Sequence, residues 1–293
     1  MTIVEFGLVF ASALLHAIWS VAIKGSRDPL TFNLLQTVTG VVLVAACAPF
    51  VAFQEIASGV WLLIAVSCTV HGFYFYWMSR AFEHGDLTLV YPIVRSTPAF
   101  MPFLATPLLA ERVSLTGAVG IATVVSGMWL VQAGRGLRRE AFLGKAAVFS
   151  YLTLATTVAY SLTDKSVMAQ LAAGPWSSPI PRAAFYCLVL SAGNAVVFAP
   201  LVLRQRSARS LLAAARTDLG GATAAALVSF ASYSLLLKAL ETAPVSYVVA
   251  GRQMSVVFAL CLGVLWLGEA PGRVRVLGAL TTVVGIFLIA TRA

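Results

Sequence analysis

Two arginines stand where a charge is costly. Arg95 and Arg252 each lie about eight residues inside a long apolar run of the 293-residue chain. A guanidinium at such depth is worth a few kcal/mol of insertion penalty, which makes it a binding-site candidate by default. Two guanidiniums could together grip one carboxylate or phosphate through paired hydrogen bonds. The alternative is that each snorkels to an interface or bonds to carbonyls at a helix break. His16 and His71 also lie mid-run and can titrate near neutral pH, although each serves equally well as a packing residue. Around them fall aromatic and amide side chains able to stack or hydrogen bond: Trp19, Tyr74, Trp77, Tyr91, Tyr160, Tyr247, Gln253 and, less prominently, Asn194. Tyr74 and Trp77 share a helical face with His71, where they could wall a cavity or belong to an interfacial aromatic belt.

The carboxylates give the complementary signal. The eleven acidic residues read as lying at run ends or in connections, which disfavours proton exchange on a buried Glu or Asp. Asp164 comes closest to an exception, beside Lys165 near the expected end of a run, where a local ion pair or a proton relay accounts for it. Cys47, Cys68, Cys187 and Cys261 sit in apolar stretches without CxxC spacing, so they read as buried thiols and no metal site is expected. Phosphate-loop, dinucleotide and zinc-hydrolase motifs are absent, so no cofactor, no enzyme activity and no nucleotide-driven pumping is expected.

These residues need a scaffold. The chain is 60% hydrophobic and 11% charged, with a mean hydropathy of +0.91, a mixture that excludes a soluble globule. Apolar runs fall at Ile3–Ile23, Leu30–Phe53, Val60–Arg80, Leu87–Leu109, Val113–Gln132, Ala141–Lys165, Arg182–Leu203, Gly220–Leu240, Val245–Leu267 and Val274–Ala290, hereafter spans 1 to 10. They lack the alternation of a barrel, so an all-α integral membrane fold of ten transmembrane helices is expected. Met1 to Glu5 holds no basic residue, so the first run reads as a span and not as a cleaved leader.

The two halves repeat. Arg80-Ala81-Phe82-Glu83 aligns with Lys238-Ala239-Leu240-Glu241 at an offset of 158, which also pairs Glu111 with Glu269, Gly120 with Gly278 and Gly127 with Gly285. Trp19-Ser20 and Lys24 match Tyr160-Ser161 and Lys165 at an offset of 141, and the difference implies an insertion, placed mainly in the Gly174–Pro181 loop. Residues 1–133 therefore form a first five-helix repeat, 134–142 a linker and 143–293 a second repeat. Five is odd, so the second unit enters from the opposite side and the repeats are inverted, an architecture that places a site between them near the midplane. The glycines at seven-residue spacing form a stripe for close helix packing or for a homodimer. In span 4, Pro92, Pro98, Pro102 and Pro107 are expected to kink the helix and free a carbonyl near Arg95.

The ten spans, the five-plus-five repeat, the stretch His16-Ala17-Ile18-Trp19-Ser20 with Lys24, and the turns Ala110-Glu111 and Gly268-Glu269 resemble the EamA-type drug/metabolite transporter superfamily. Ala110 stands where the first repeat more usually has glycine. The resemblance implies a ten-helix carrier with a cavity lined by spans 1, 3, 4, 6, 8 and 9, and a substrate anywhere from amino acids to sugars, nucleotide sugars or drugs. The formal charge of +9 sits in short connections, so it reads as an orientation signal and not as a nucleic-acid surface. Thirteen Lys and Arg flank one set of connections and four the other, which puts both termini outside, whereas the family resemblance puts them inside. The expected function is gradient-driven or exchange transport, across the plasma or inner membrane, of a small anionic or zwitterionic metabolite such as an amino acid or organic acid; export of lipophilic or aromatic compounds is the rival.

Overall fold

The computed structural model describes all residues except 25, 52, 86, 134–142, 268–270 and 293, together with the side chains at 21, 24, 87–89, 91, 132–133, 266–267 and 292. The 134–142 linker, the Gly268-Glu269 turn and the side chains of Lys24 and Tyr91 thus lie outside the described residues. Thirteen helices are described: α1 (Ile3–Lys24), α2 (Pro29–Cys47), α3 (Ser58–His84), α4 (Leu87–Val94), α5 (Thr97–Leu109), α6 (Leu115–Ala133), α7 (Lys145–Ala173), α8 (Arg182–Gly193), α9 (Ala195–Leu203), α10 (Ala208–Leu240), α11 (Val245–Gly251), α12 (Met254–Leu267) and α13 (Arg273–Arg292). They make ten spans because three are divided: α4/α5 is span 4, α8/α9 span 7 and α11/α12 span 9. Eight segments among the described residues are long and apolar enough to cross a bilayer, and Leu115–Val131 is a shorter apolar helix. The protein is an all-helical, multi-pass membrane protein built from two inverted five-helix repeats.

Local chemistry sets the helix ends. Asp28 caps α2 by accepting hydrogen bonds from Leu30 N (3.2 Å) and Thr31 Oγ1 (2.7 Å), and Pro29 supplies the fixed φ favoured at a helix start. Span 4 breaks at Arg95-Ser96 because Pro98 has no N–H and its ring collides with the carbonyl four residues back, on Val94, the last residue of α4. Span 9 breaks at Arg252-Gln253 without a proline, directly after Gly251.

Two spans are longer than their composition suggests. The helix of span 6 runs on to Ala173 and not to Lys165, and that of span 8 begins at Ala208 and not at Gly220. Polar residues there do not stop the helix, since Gln, Arg and Ala are good helix formers and Val167, Met168 and Leu171 are buried. The expected insertion is therefore spread through the helices: α7 has 29 residues against 22 in α1, and α10 has 33 against 27 in α3.

The three most extensive helix pairings, α6 with α13, α3 with α7 and α1 with α10, each join one repeat to the other. The glycine stripe is used in the first of these. A Cβ on Gly127 would meet Thr282 N at 2.5 Å and one on Gly285 would meet Val124 N at 2.6 Å, so the backbones touch. The stripe thus packs within the chain and does not supply the homodimer contact that the sequence also allowed. Ser232 Oγ donates to Ser12 O (2.8 Å), tying α10 to α1.

Candidate functional site

The two matched breaks, in spans 4 and 9, meet at the seam between the repeats and aim their arginines at one residue. Arg95 donates from one terminal nitrogen to Ser255 Oγ (2.9 Å), and its other terminal nitrogen lies 3.0 Å from His16 Nε2. Arg252 approaches the other nitrogen of the same ring, with a terminal nitrogen 3.3 Å from His16 Nδ1. A neutral imidazole has one lone pair and one N–H, so it can accept from one guanidinium only. The Arg252 guanidinium also lies 5.2 Å from the centre of the Tyr233 ring, and its Nε is buried without a hydrogen-bond partner, as is Gln253 Oε1. The one-residue misregister between the arginines now has a cause: α4 has eight residues and α11 seven, so the breaks themselves correspond.

These groups face a cavity of about 510 Å³. Its wall includes Arg95, Arg252, His16, Trp19, Tyr74, Tyr160 and Gln253, seven of the twelve residues singled out from sequence. Thr157, Ser161 and Tyr233 add hydroxyls. The lining extends to Ser26, Arg27, Pro29, Glu83 and Gly85 at one end, the end that carries the basic connections, and to Leu236, Leu240 and Val249 at the other. That second end is stitched shut. Glu111 caps α11 by accepting from Val245 N, Ser246 N (3.2 Å) and Ser246 Oγ (2.6 Å), Lys165 Nζ donates to Leu240 O (2.8 Å), and Thr242 Oγ1 donates to Glu5 (2.5 Å). Among the described residues the one carboxylate in the cavity wall is Glu83, at the open end, where it pairs with Arg80 and Arg206.

A second void of about 90 Å³ adjoins the first and shares His16, Trp19, Tyr74, Tyr160, Tyr233 and Arg252 with it. His71 belongs here, not in the main cavity, stacked on Tyr160 with ring centroids 4.1 Å apart. Asn194, at the break of span 7, lines the same void and accepts from Thr37 (3.4 Å). Behind His71 is a group that sequence reading misplaced. Asp164 is fully buried inside α7 and accepts from Ser67, Tyr186 (2.6 Å) and Tyr233, while Lys165 points elsewhere; there is no Asp164–Lys165 pair. The expectation that no carboxylate lies at depth is therefore corrected.

Two other expectations are also corrected. Trp77 does not line the main cavity; it stacks on Phe149 of α7 with ring centroids 5.7 Å apart, one turn along α3 from Tyr74, which packs on Tyr160 of the same helix at the cavity. Tyr247 is buried among Ile121, Val124 and Ile286, where its hydroxyl accepts from Ser114 N (3.0 Å) and fixes the start of α6. Tyr233, absent from the sequence candidates, had a signal: at the 158-residue offset it corresponds to Phe75 in the aromatic run of span 3. Among the described residues no group of three or more His, Cys, Asp or Glu is placed to hold a metal ion.

A search of curated proteins returned no match to this sequence. A solved structure, described as a crystal structure of a protein, is similar in fold, with a TM-score of 0.73 at 16% identity over 98% of this chain and 96% of that one. The model of the EamA-like transporter family matches residues 5–133 and 151–291, once in each repeat. With a match over most of its length, the chain belongs to the EamA-like transporter family, the integral membrane transporters of the drug/metabolite superfamily.

Proposed function

We propose that the protein is a secondary carrier for a small carboxylate-bearing metabolite, anionic or zwitterionic, such as an amino acid or organic acid. The observation that carries this reading is the convergence of Arg95 and Arg252 on His16, in a cavity wall whose one carboxylate among the described residues, Glu83, lies at the open end. Two like charges within ~8 Å repel by about 2 kcal/mol at an effective dielectric constant of ~20. One imidazole lone pair cannot satisfy both. A carboxylate bound between the guanidiniums accepts from both and cancels their repulsion, and the unpartnered Nε of Arg252 is a further donor for it. The aromatic wall of Trp19, Tyr74, Tyr160 and Tyr233 takes up the remainder of the ligand.

Transport follows from the symmetry: the half-helices of the two repeats exchange roles, opening the site at one face and then the other. The basic connections lie at the open end, so the positive-inside rule turns this state toward the cytoplasm, with both termini outside, in the plasma or inner membrane. The aromatic wall by itself favours a second reading, export of lipophilic aromatic compounds.

A thermal-shift panel of amino acids, organic acids, sugars and phosphoesters on purified protein tests the reading, because a ligand stabilises the state it binds. Carboxylates are expected to stabilise it and sugars not. In proteoliposomes Arg95→Ala and Arg252→Ala should each lower uptake of the stabilising carboxylate by about 10- to 100-fold, the worth of one charged hydrogen-bonding partner. Wild-type rates in both variants would remove the arginines from the site, and stabilisation by uncharged aromatics alone would favour the export reading.

A further inference from the structure

Beneath the main cavity, the hydrogen bonds around Asp164 leave a place for one further proton. Ser67, Tyr186 and Tyr233 each have a single hydroxyl proton, and all three are directed at this carboxylate. His71 is then left with acceptors on both sides. Its Nδ1 faces Ser67 O at 3.0 Å and Ser67 Oγ at 3.2 Å; its Nε2 faces Tyr233 Oη at 3.3 Å and Asp164 Oδ2 at 3.7 Å. A carbonyl oxygen can only accept, and the two hydroxyls have already given their protons to Asp164. A proton held on His71 finds acceptors on both sides, Ser67 O at Nδ1 and Tyr233 Oη with Asp164 Oδ2 at Nε2. A second arrangement holds the same proton on Asp164, which donates to Tyr233, and Tyr233 donates to a neutral His71. In either case the cluster offers a place for one proton beyond that of neutral His71 with ionised Asp164, and Tyr233 is the wire between the two residues.

That wire touches the anion site. The Tyr233 ring lies under the Arg252 guanidinium, and Tyr233 and Tyr160 line both voids, so the void that holds His71 adjoins the main cavity at these two rings. The ionisable groups facing the cluster are Tyr160 from α7, Tyr186 and Cys187 from α8, Tyr233 from α10, Cys68 from α3 and Arg252 between α11 and α12, with Arg95 further off. The arginines are the neighbouring cations whose field an anionic substrate would cancel.

We propose that His71 and Asp164 are the proton-coupling site of this carrier, binding one proton with each substrate molecule and releasing it with the substrate on the other side. An anion at Arg95 and Arg252 cancels the positive field that opposes a proton on His71. By reciprocity the proton favours the anion to the same extent. No bond other than that of the proton is made or broken: it enters from the solution facing the open cavity and leaves to the opposite solution. The result is symport, and with L-glutamate the transported pair is neutral.

This coupling rests on the anion reading above, and the experiment separates the two. Proteoliposomes holding the full chain are given L-glutamate, L-malate and L-phenylalanine in two assays, exchange of labelled for unlabelled substrate without a pH gradient, and net uptake with an inward proton gradient at clamped potential. In the wild type the gradient should speed net uptake of the accepted substrate at least tenfold and drive its accumulation. His71→Gln and Asp164→Asn should lose that acceleration by a much larger factor than they lower exchange, a split that a purely structural role does not produce. Trapped pyranine should report one proton entering per substrate in the wild type, a measurement that stands even if a variant fails to fold. Acceleration unchanged in both variants, proton movement opposite to the substrate, or wild-type uptake indifferent to the gradient would overturn the coupling. Absence of exchange by all three compounds defeats the anion reading and the coupling with it.

Discussion

The break in span 4 and the break in span 9 solve the same problem with different chemistry. In the first, a proline forces the helix to stop: Pro98 collides with the carbonyl of Val94, and Arg95 and Ser96 fill the turn. In the second, Gly251 ends α11 and no proline enforces the stop. The side chains differ in parallel. Both arginines meet His16, but Arg95 also donates to Ser255 of the opposite repeat, whereas Arg252 rests on the Tyr233 ring with its Nε unpartnered. A duplicated element has become one rigid arm and one looser arm on a shared ligand position, and the looser arm is the one in contact with the Tyr233–His71–Asp164 cluster.

Replacing each arginine by lysine breaks this comparison most sharply. Lysine keeps the charge but loses the fork, so Arg95→Lys gives up contacts to Ser255 and His16 that one ammonium cannot reproduce together. Uptake by Arg95→Lys is expected to fall by about tenfold or more, and that by Arg252→Lys by several-fold less. Equal losses in initial-rate uptake would mean that the two arms are equivalent. The stops themselves come next. Pro98→Ala permits α4 to run on into α5 and swing Arg95 round the helix, so uptake should fall several-fold while the melting temperature holds or rises, since interior proline is the poorest helix residue. Gly251→Ala should do less to uptake, because its added Cβ meets only Val9 Cγ1, at 3.0 Å, and leaves the stop unchanged.

How much of this was legible beforehand depends on what each residue type can signal. The arginines were visible because charge in an apolar run is costly, and the seam because glycine pairs recur at one offset. Asp164 was misread through a boundary: with span 6 ending at Lys165 it sits at a helix end, but α7 continues eight residues to Ala173 and buries it. A Ser, a Gln and a Lys close the apolar stretch without closing the helix. Trp77 and Tyr247 failed for another reason. An aromatic ring satisfies a cavity wall and a packed core equally, and the side it takes is decided by its partners, Phe149 for one and Ser114 for the other, which local sequence does not name.

At the open end, a tie between the repeats is expected to respond to pH. Burial works against charge on Asp28, but hydrogen bonds from Arg206 and Thr31 outweigh it, and the carboxyl titrates below its usual range. Arg206 grips it through Nε (2.8 Å) and a terminal nitrogen (3.1 Å). A depressed carboxylate contributes stability that is complete above its unfolded value of about 3.9 and fades as pH falls through the lower folded value. Asp28→Ala should therefore cost about 1 kcal/mol at neutral pH, the usual worth of an N-cap, with part of that difference closing below about pH 4. Thermal melts of both proteins across that range measure it, and a gap independent of pH would assign the loss to packing alone.

The smallest expected effect tests how the repeats diverged. After α5 the chain turns through Ala110 at φ 52°, the one non-glycine residue with positive φ among those described, and its N–H bonds back to Ala105 O. The aligned position in the second repeat is Gly268. An L-residue pays roughly 1–2 kcal/mol in the left-handed region, while glycine returns about 0.5–1 kcal/mol of that through its freer unfolded chain. Ala110→Gly should then stabilise the protein by under about 1 kcal/mol and leave uptake unchanged, because this turn presents Glu111 to α11 and the backbone path is already set. If uptake instead falls while stability rises, the alanine is stiffening the Glu111 cap, and the strain at this turn is part of what holds the far end of the cavity closed.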